Sequence, residues 1–134
     1  MTDMAPDVPS LLPLAQRHRL ALGQRITTPV GTDGAPRQVV WHTWAPEQPA
    51  PGLAPVVLFH GGSGSWTHWV KNIVPLLDAG RRVLAVDLPG FGDSDPPDRG
   101  TDADAMLAPL ADSLRQLLGG EPADLVGFSF GGMT

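Results

Sequence analysis

The sequence has no cysteine. That excludes a disulfide framework and any metal site built on thiolates. Positive charge is also scarce. Lys and Arg number 9 against 14 Asp and Glu, so the net charge is −5 (9 minus 14) with histidines neutral. No basic run or patch occurs, which argues against nucleic acid as a partner. No apolar run approaches the ~18 residues a transmembrane helix needs, so no membrane partner is expected. The opening residues, Met1-Thr2-Asp3-Met4-Ala5-Pro6-Asp7, lack the basic block and apolar core of a secretory signal, and a cytoplasmic location is expected. No Gly-Lys-Ser/Thr triplet is present, so there is no Walker A loop. What the chain does have is glycine, 16 in all, and 42% apolar against 17% charged residues. That is a globular balance, and 134 residues suffice for one modest core.

The chain reads as a short leader followed by alternating elements. Residues 1–18, with prolines at 6, 9 and 13, carry little periodicity and are expected to be a loose leader. Residues 19–134 form the domain. Leu20–Thr28 and Arg37–Ala45 read as extended segments, the second rich in β-formers, joined by the turn residues Gly31-Thr32-Asp33-Gly34. An antiparallel hairpin is expected. The Pro-rich stretch Pro46–Pro55 reads as a surface loop. Val56-Val57-Leu58-Phe59 is a continuous apolar run, the mark of a strand buried on both faces. Ser65 can cap a helix that follows, with Pro75 interrupting it and Gly80 ending it. Arg82–Val86 is a second buried strand. Asp102–Leu118 has leucines at helical spacing, with Pro109 in its first half, and Gly119-Gly120 closes it. Asp124–Gly127 is expected to be the third buried strand. A hairpin followed by strand–helix–strand–helix–strand argues for an α/β fold with a parallel sheet.

Three glycine-rich loops fall at the C-terminal ends of these strands, where open α/β sheets bind ligands. The last is Gly127-Phe128-Ser129-Phe130-Gly131, a G-x-S-x-G pattern directly after a strand. A serine at the tip of so tight a turn takes φ > 0, which needs neighbours without side chains, here Gly127 and Gly131. Its hydroxyl is a candidate nucleophile that requires a base and donors for the resulting oxyanion. The backbone N–H of Phe130, near a helix start, is one candidate donor. The second is expected from His60-Gly61-Gly62-Ser63, with the N–H of Gly62 as the choice, since a residue without a side chain lets its backbone approach a substrate closely. The same loop invites a dinucleotide-binding reading, but the fingerprint G-x-G-x-x-G fails: Gly62 and Gly64 are followed by Thr67 where the third glycine belongs. His60 is a tempting base, yet its place favours a structural histidine pinning the loop. His68 reads as a surface residue or one that backs the site from behind. Asp87 could be a triad acid, but at the head of a tight loop it is expected to cap backbone N–H groups. Ser63, Trp66 and Trp69 are candidates for a substrate pocket, the two indoles being equally candidates for the core. No cofactor or metal is expected.

Taken together, His60-Gly61-Gly62-Ser63-Gly64, Asp87-Leu88-Pro89-Gly90-Phe91-Gly92-Asp93-Ser94 and Gly127-Phe128-Ser129-Phe130-Gly131-Gly132 resemble the α/β-hydrolase superfamily, over about residues 20–134. Their order and spacing look like the esterases, C–C hydrolases and peptidases of that family. The resemblance implies a three-layer α/β sandwich. It also implies Ser129 as nucleophile and Gly62 and Phe130 as oxyanion donors. Gly61, Gly90, Gly92, Gly127 and Gly131 would be loop-forming glycines. A small-molecule ester or carbonyl substrate would be the partner. Serine at this position argues against the members that use an aspartate nucleophile. In the family the acid and the histidine follow the nucleophile along the chain. Only five residues follow Ser129 here, none of them Asp, Glu or His. The chain is therefore expected to be the N-terminal part of a hydrolase, with an incomplete sheet and little activity by itself. The alternatives are a triad-less module that binds a small ligand or partner, and an acyltransferase or perhydrolase on the same fold.

Overall fold

The computed structural model describes residues 12–31, 37–97 and 103–134. Eight elements follow one another: α1 (Leu14–Ala21), β1 (Gln24–Val30), β2 (Arg37–Trp44), β3 (Val56–Phe59), α2 (Val70–Asp78), β4 (Val83–Asp87), α3 (Ala103–Leu118) and β5 (Asp124–Gly127). Short 3-10 turns cover Trp66–Trp69 and Ser129–Met133. The five strands form one sheet in the order β1-β2-β4-β3-β5. The hairpin β1–β2 is antiparallel and joins antiparallel to β4. β4, β3 and β5 run parallel. This is the expected arrangement, and helices on both faces make three layers.

The alternation of side chains in β3 and β4 builds two cores. Val56, Leu58, Val83 and Ala85 face α2 and α1, meeting Val70, Ile73, Leu77 and Leu20. Val57, Phe59, Leu84 and Val86 face α3, meeting Met106 and Leu110. Every residue of β3 and β4 is buried. Each fully buried Val or Leu of these two strands contributes about 1.5–3 kcal/mol. On the α3 side the buried Ser113 hydroxyl accepts from Trp41 Nε1 at 2.6 Å and meets Thr28 Oγ1 at 2.5 Å. Helix and hairpin are thereby linked without an unsatisfied polar group.

The structure corrects several expectations. The boundary expected at residue 19 falls inside α1, and Leu12 and Leu20 belong to the core; the rest of the leader, 1–11, lies outside the described residues. The first extended segment begins later than expected, because Leu20 and Ala21 complete that helix and β1 starts at Gln24. The turn residues 32–34 lie outside the described residues. Pro75 does not interrupt the second helix. It sits inside α2, where burial of Val70, Ile73, Val74 and Leu77 outweighs the one lost backbone bond. Ser65 caps as expected, its Oγ accepting from Thr67 N–H, but the element it starts is a 3-10 turn. The helix over Asp102–Leu118 is observed from Ala103, residue 102 lying outside the described residues. The largest correction concerns β5. It pairs with β3 at the edge of the sheet, and all four of its residues are exposed.

Candidate active site

The parallel strands β3, β4 and β5 deliver their three following loops to one end of the sheet. The loop after β3 begins with His60, which is fully buried. Its Nε2 accepts the Leu88 N–H at 2.9 Å. That fixes the tautomer, because the proton must then sit on Nδ1, which donates to the Gly61 carbonyl at 2.7 Å. Burial pushes the imidazole below its usual 6.5; the bond to Gly61 pulls the other way, and His68 adds to the lowering. With both nitrogens held by backbone, His60 is a loop-pinning residue and not a free base.

This pinning has a directional consequence. In a trans peptide the N–H points opposite to the carbonyl. Holding the Gly61 carbonyl toward His60 therefore turns the Gly62 N–H away from it. Among the described residues that N–H meets no acceptor, and Gly62 is exposed. A side-chain carbon placed on Gly62 would stand 3.7 Å from Phe130 Cβ, so this loop and the turn that carries Ser129 are adjacent. Ser63, next along, is exposed and has φ 59, a strained value for a residue with a side chain.

The loop after β4 is organised by Asp87, itself buried. One carboxylate oxygen accepts the Trp66 N–H at 2.8 Å and the other the Asp93 N–H at 3.0 Å. Its carbonyl accepts from Ser94 Oγ at 2.5 Å. Burial raises its pKa, against the lowering effect of the two backbone bonds. Asp87 thus caps the 3-10 turn after the first loop and closes its own. Gly90 and Gly92 have φ of 88 and 52, and Gly92 lies directly against the Asp87 carboxyl. Both oxygens being committed, Asp87 is not placed as a triad acid.

The third loop holds Ser129 at φ 54. Steric need for glycine on either side is explicit. A Cβ on Gly131 would lie 2.3 Å from the Phe59 carbonyl oxygen, and one on Gly127 would lie 2.6 Å from Gly132 Cα. The turn is tied to β3 through Phe128 N–H donating to Phe59 O at 3.0 Å. Phe130, half-buried, packs toward Phe91 of the second loop at 5.8 Å. All three loops therefore touch.

The expected pocket residues separate. Trp66 is buried and stacks on His42 at 4.5 Å, with Trp44 at 5.4 Å. It belongs to the core, which corrects its candidacy for a pocket wall: Asp87 holds its backbone and the hairpin covers its ring. Trp69 is half-buried against the same core. His68, read from the sequence as a surface residue or one that backs the site, is exposed, and its Nδ1 accepts the Gly61 N–H at 3.2 Å. Gly64, whose open position the ring fills, was the available signal. Among the described residues no group of three or more His, Cys, Asp or Glu could hold a metal, and no helix is long and apolar enough to cross a membrane.

Comparison with known proteins bears on this geometry. A family model described as the alpha/beta hydrolase fold matches residues 54–134. The chain is 40% identical over 82 residues to a 2-hydroxy-6-oxo-6-phenylhexa-2,4-dienoate hydrolase of Comamonas testosteroni, covering 59% of this chain and 29% of that protein. It is 36% identical over 78 residues to a soluble epoxide hydrolase of Corynebacterium sp. (strain C12), covering 58% and 27%. The crystal structure of a bromoperoxidase from Bacillus anthracis superposes with a TM-score of 0.62 at 31% identity, covering 80% of this chain and 36% of that one. The chain thus spans under a third of the length of the curated relatives it matches.

Proposed function

The chain belongs to the alpha/beta hydrolase fold family, and on that premise we propose that it is the nucleophile-bearing part of a serine hydrolase acting on an ester or related carbonyl substrate. The observation that carries this reading is Ser129 at φ 54 on a turn that only glycine neighbours allow, adjacent to the Gly62 N–H. In the proposed reaction the Ser129 hydroxyl oxygen bonds to the substrate carbonyl carbon as its proton passes to a base. The oxyanion is received by the N–H groups of Gly62 and Phe130, each worth about 10²–10³ in rate. Collapse expels the leaving group, which takes up a proton, and leaves an acyl group on Ser129. Water then releases it as the acid.

The base is not one of the buried groups at hand. His60 and Asp87 are both bound to backbone, and no Asp, Glu or His lies between Ser129 and Thr134. The acid and histidine are proposed to come from sequence beyond these residues, and residues 1–134 alone to react slowly. A serine nucleophile sets this reading apart from aspartate-dependent epoxide opening. The relative named a dienoate hydrolase supports a carbonyl substrate. The bromoperoxidase likeness supports a second reading, in which peroxide replaces water in the last step; product analysis separates the two. The test of the main reading is hydrolysis of an activated ester by the complete gene product. Ser129→Ala is expected to lower kcat by about 10³ or more. An unchanged rate removes Ser129 from the mechanism.

A further inference from the structure

Gly61, a glycine in the proposed oxyanion loop, has wide backbone freedom that the fold must restrict. Each of its two backbone polar groups is held by a different histidine. The Gly61 carbonyl is held by His60 Nδ1–H at 2.7 Å, with Gly64 N–H also donating to it at 3.2 Å. The Gly61 N–H is held by His68 Nδ1 at 3.2 Å. These groups lie on consecutive peptide planes. Fixing one plane leaves the other free to rotate about the Gly61 Cα; fixing both removes that freedom.

We propose that His68 is a positioning residue: it locks the His60–Gly61 peptide and, jointly with His60, sets the direction of the Gly62 N–H. His68 lies seven residues after Gly61, and the 3-10 turn Trp66–Trp69 brings it back over the loop. Its ring occupies the space a side chain on Gly64 would need, as a Cβ there would be 2.2 Å from His68 Cε1. Its ring also meets His60 edge-on at 5.9 Å and Phe128, beside Ser129, edge-on at 6.4 Å. Phe128 in turn borders Gly61, where a Cβ would lie 2.9 Å from its ring. His68 is thus wedged between the loop that carries Gly62 and the turn that carries Ser129. His68 is exposed and fills no core, so beside these edge-on ring contacts its one directional interaction is the bond from the Gly61 N–H.

The inference rests on the hydrolase reading for its catalytic meaning, but its geometry is testable without any activity. Amide hydrogen exchange of Gly61 is measured by NMR on the nitrogen-15-labelled 134-residue chain at fixed pH. His68→Ala is expected to speed Gly61 exchange by about 5- to 10-fold, the equivalent of one hydrogen bond. His68→Asn, whose Oδ1 stands where Nδ1 does, is expected to keep it near the parent value. Gly64→Ala, which displaces the ring without touching its chemistry, is expected to behave as His68→Ala. In the complete gene product, His68→Ala is expected to lower kcat with little change in KM, and His68→Asn to restore it. The proposal is overturned if His68→Ala leaves Gly61 exchange unchanged, or if His68→Asn loses as much protection as His68→Ala. An inactive complete product with the exchange pattern intact refutes the hydrolase reading and not the clamp.

Discussion

Strands β3 and β5 lie side by side, run parallel and match residue for residue, with Val57 opposite Leu125 and Leu58 opposite Val126. Both are short and apolar at their centres. Yet every residue of β3 is buried and every residue of β5 is exposed, Leu125 at 59% and Val126 at 42%. The difference comes from sheet order. β3 has a strand on each side and helices over both faces, whereas β5 has β3 on one side only. An apolar run therefore specifies a strand, while its depth is set by neighbours that the run does not encode. Besides its ladder with β3, β5 is held at both ends. Arg81 pairs with Asp124 at 2.5 Å and donates to the Ala54 carbonyl at the foot of β3, and Phe128 N–H binds Phe59 O at the top. The turn that carries Ser129 thus stands on the least buried strand of the sheet.

The comparison breaks most directly by cutting the paired residues back in turn. Leu58→Ala is expected to cost about 2–5 kcal/mol in chemical denaturation. Val126→Ala, directly opposite, is expected to stay within about 0.5 kcal/mol. Equal costs would mean that β5 is as much a core strand as β3. The loops at the top differ in a second way, through pH. The folded His60 imidazole binds its proton less readily than an unfolded one, so proton uptake favours unfolding. Its contribution is fully present above pH 6.5 and is lost as pH falls below that value. His60→Asn is expected to flatten this part of the stability profile, and an unchanged slope would show that His60 is already charged in the fold. Asp87 works in the opposite sense. Its raised pKa means that stability declines as pH rises past 3.8 toward its folded value, and Asp87→Asn is expected to remove that decline.

A smaller effect is expected at Ser129 itself. Ser129→Gly relieves a left-handed backbone strain of about 1–2 kcal/mol and is expected to raise stability by about 1 kcal/mol while removing the hydroxyl. A loss of stability would mean that the side chain, not the turn, holds this region together. The smallest effect on stability sharpens the edge-strand claim. Leu125→Lys is expected to leave the denaturation midpoint nearly unchanged, yet to reduce self-association measured by light scattering, since lysine blunts an open edge. Unchanged association would place the sticky surface elsewhere.

Much of this was legible in the sequence, and unevenly. The three loops were readable because their backbone paths demand particular residues. Gly131 cannot carry a side chain against Phe59 and His60, so the G-x-S-x-G pattern reports backbone geometry. His60 and Asp87 were read as structural residues from their places at strand ends, and their backbone bonds agree. The polar α1 was missed because its eight residues bury only Leu20 and show little apolar stripe. Trp66 could not be assigned to core or pocket from spacing alone. Its depth follows from His42 and Trp44, more than twenty residues earlier, closing over it. The partner of His68 escaped for a similar reason, as its bond to Gly61 crosses seven residues through a turn whose hand the sequence does not state.

Ser129, on the turn that follows the exposed edge strand β5, is the proposed nucleophile of the complete protein. The most direct measurement is reaction of the complete gene product with a fluorophosphonate, followed by mass mapping of the adduct. A single phosphonate is expected on Ser129, absent from Ser129→Ala and formed much more slowly by residues 1–134 alone. A phosphonate on another residue, or one that survives Ser129→Ala, would contradict it.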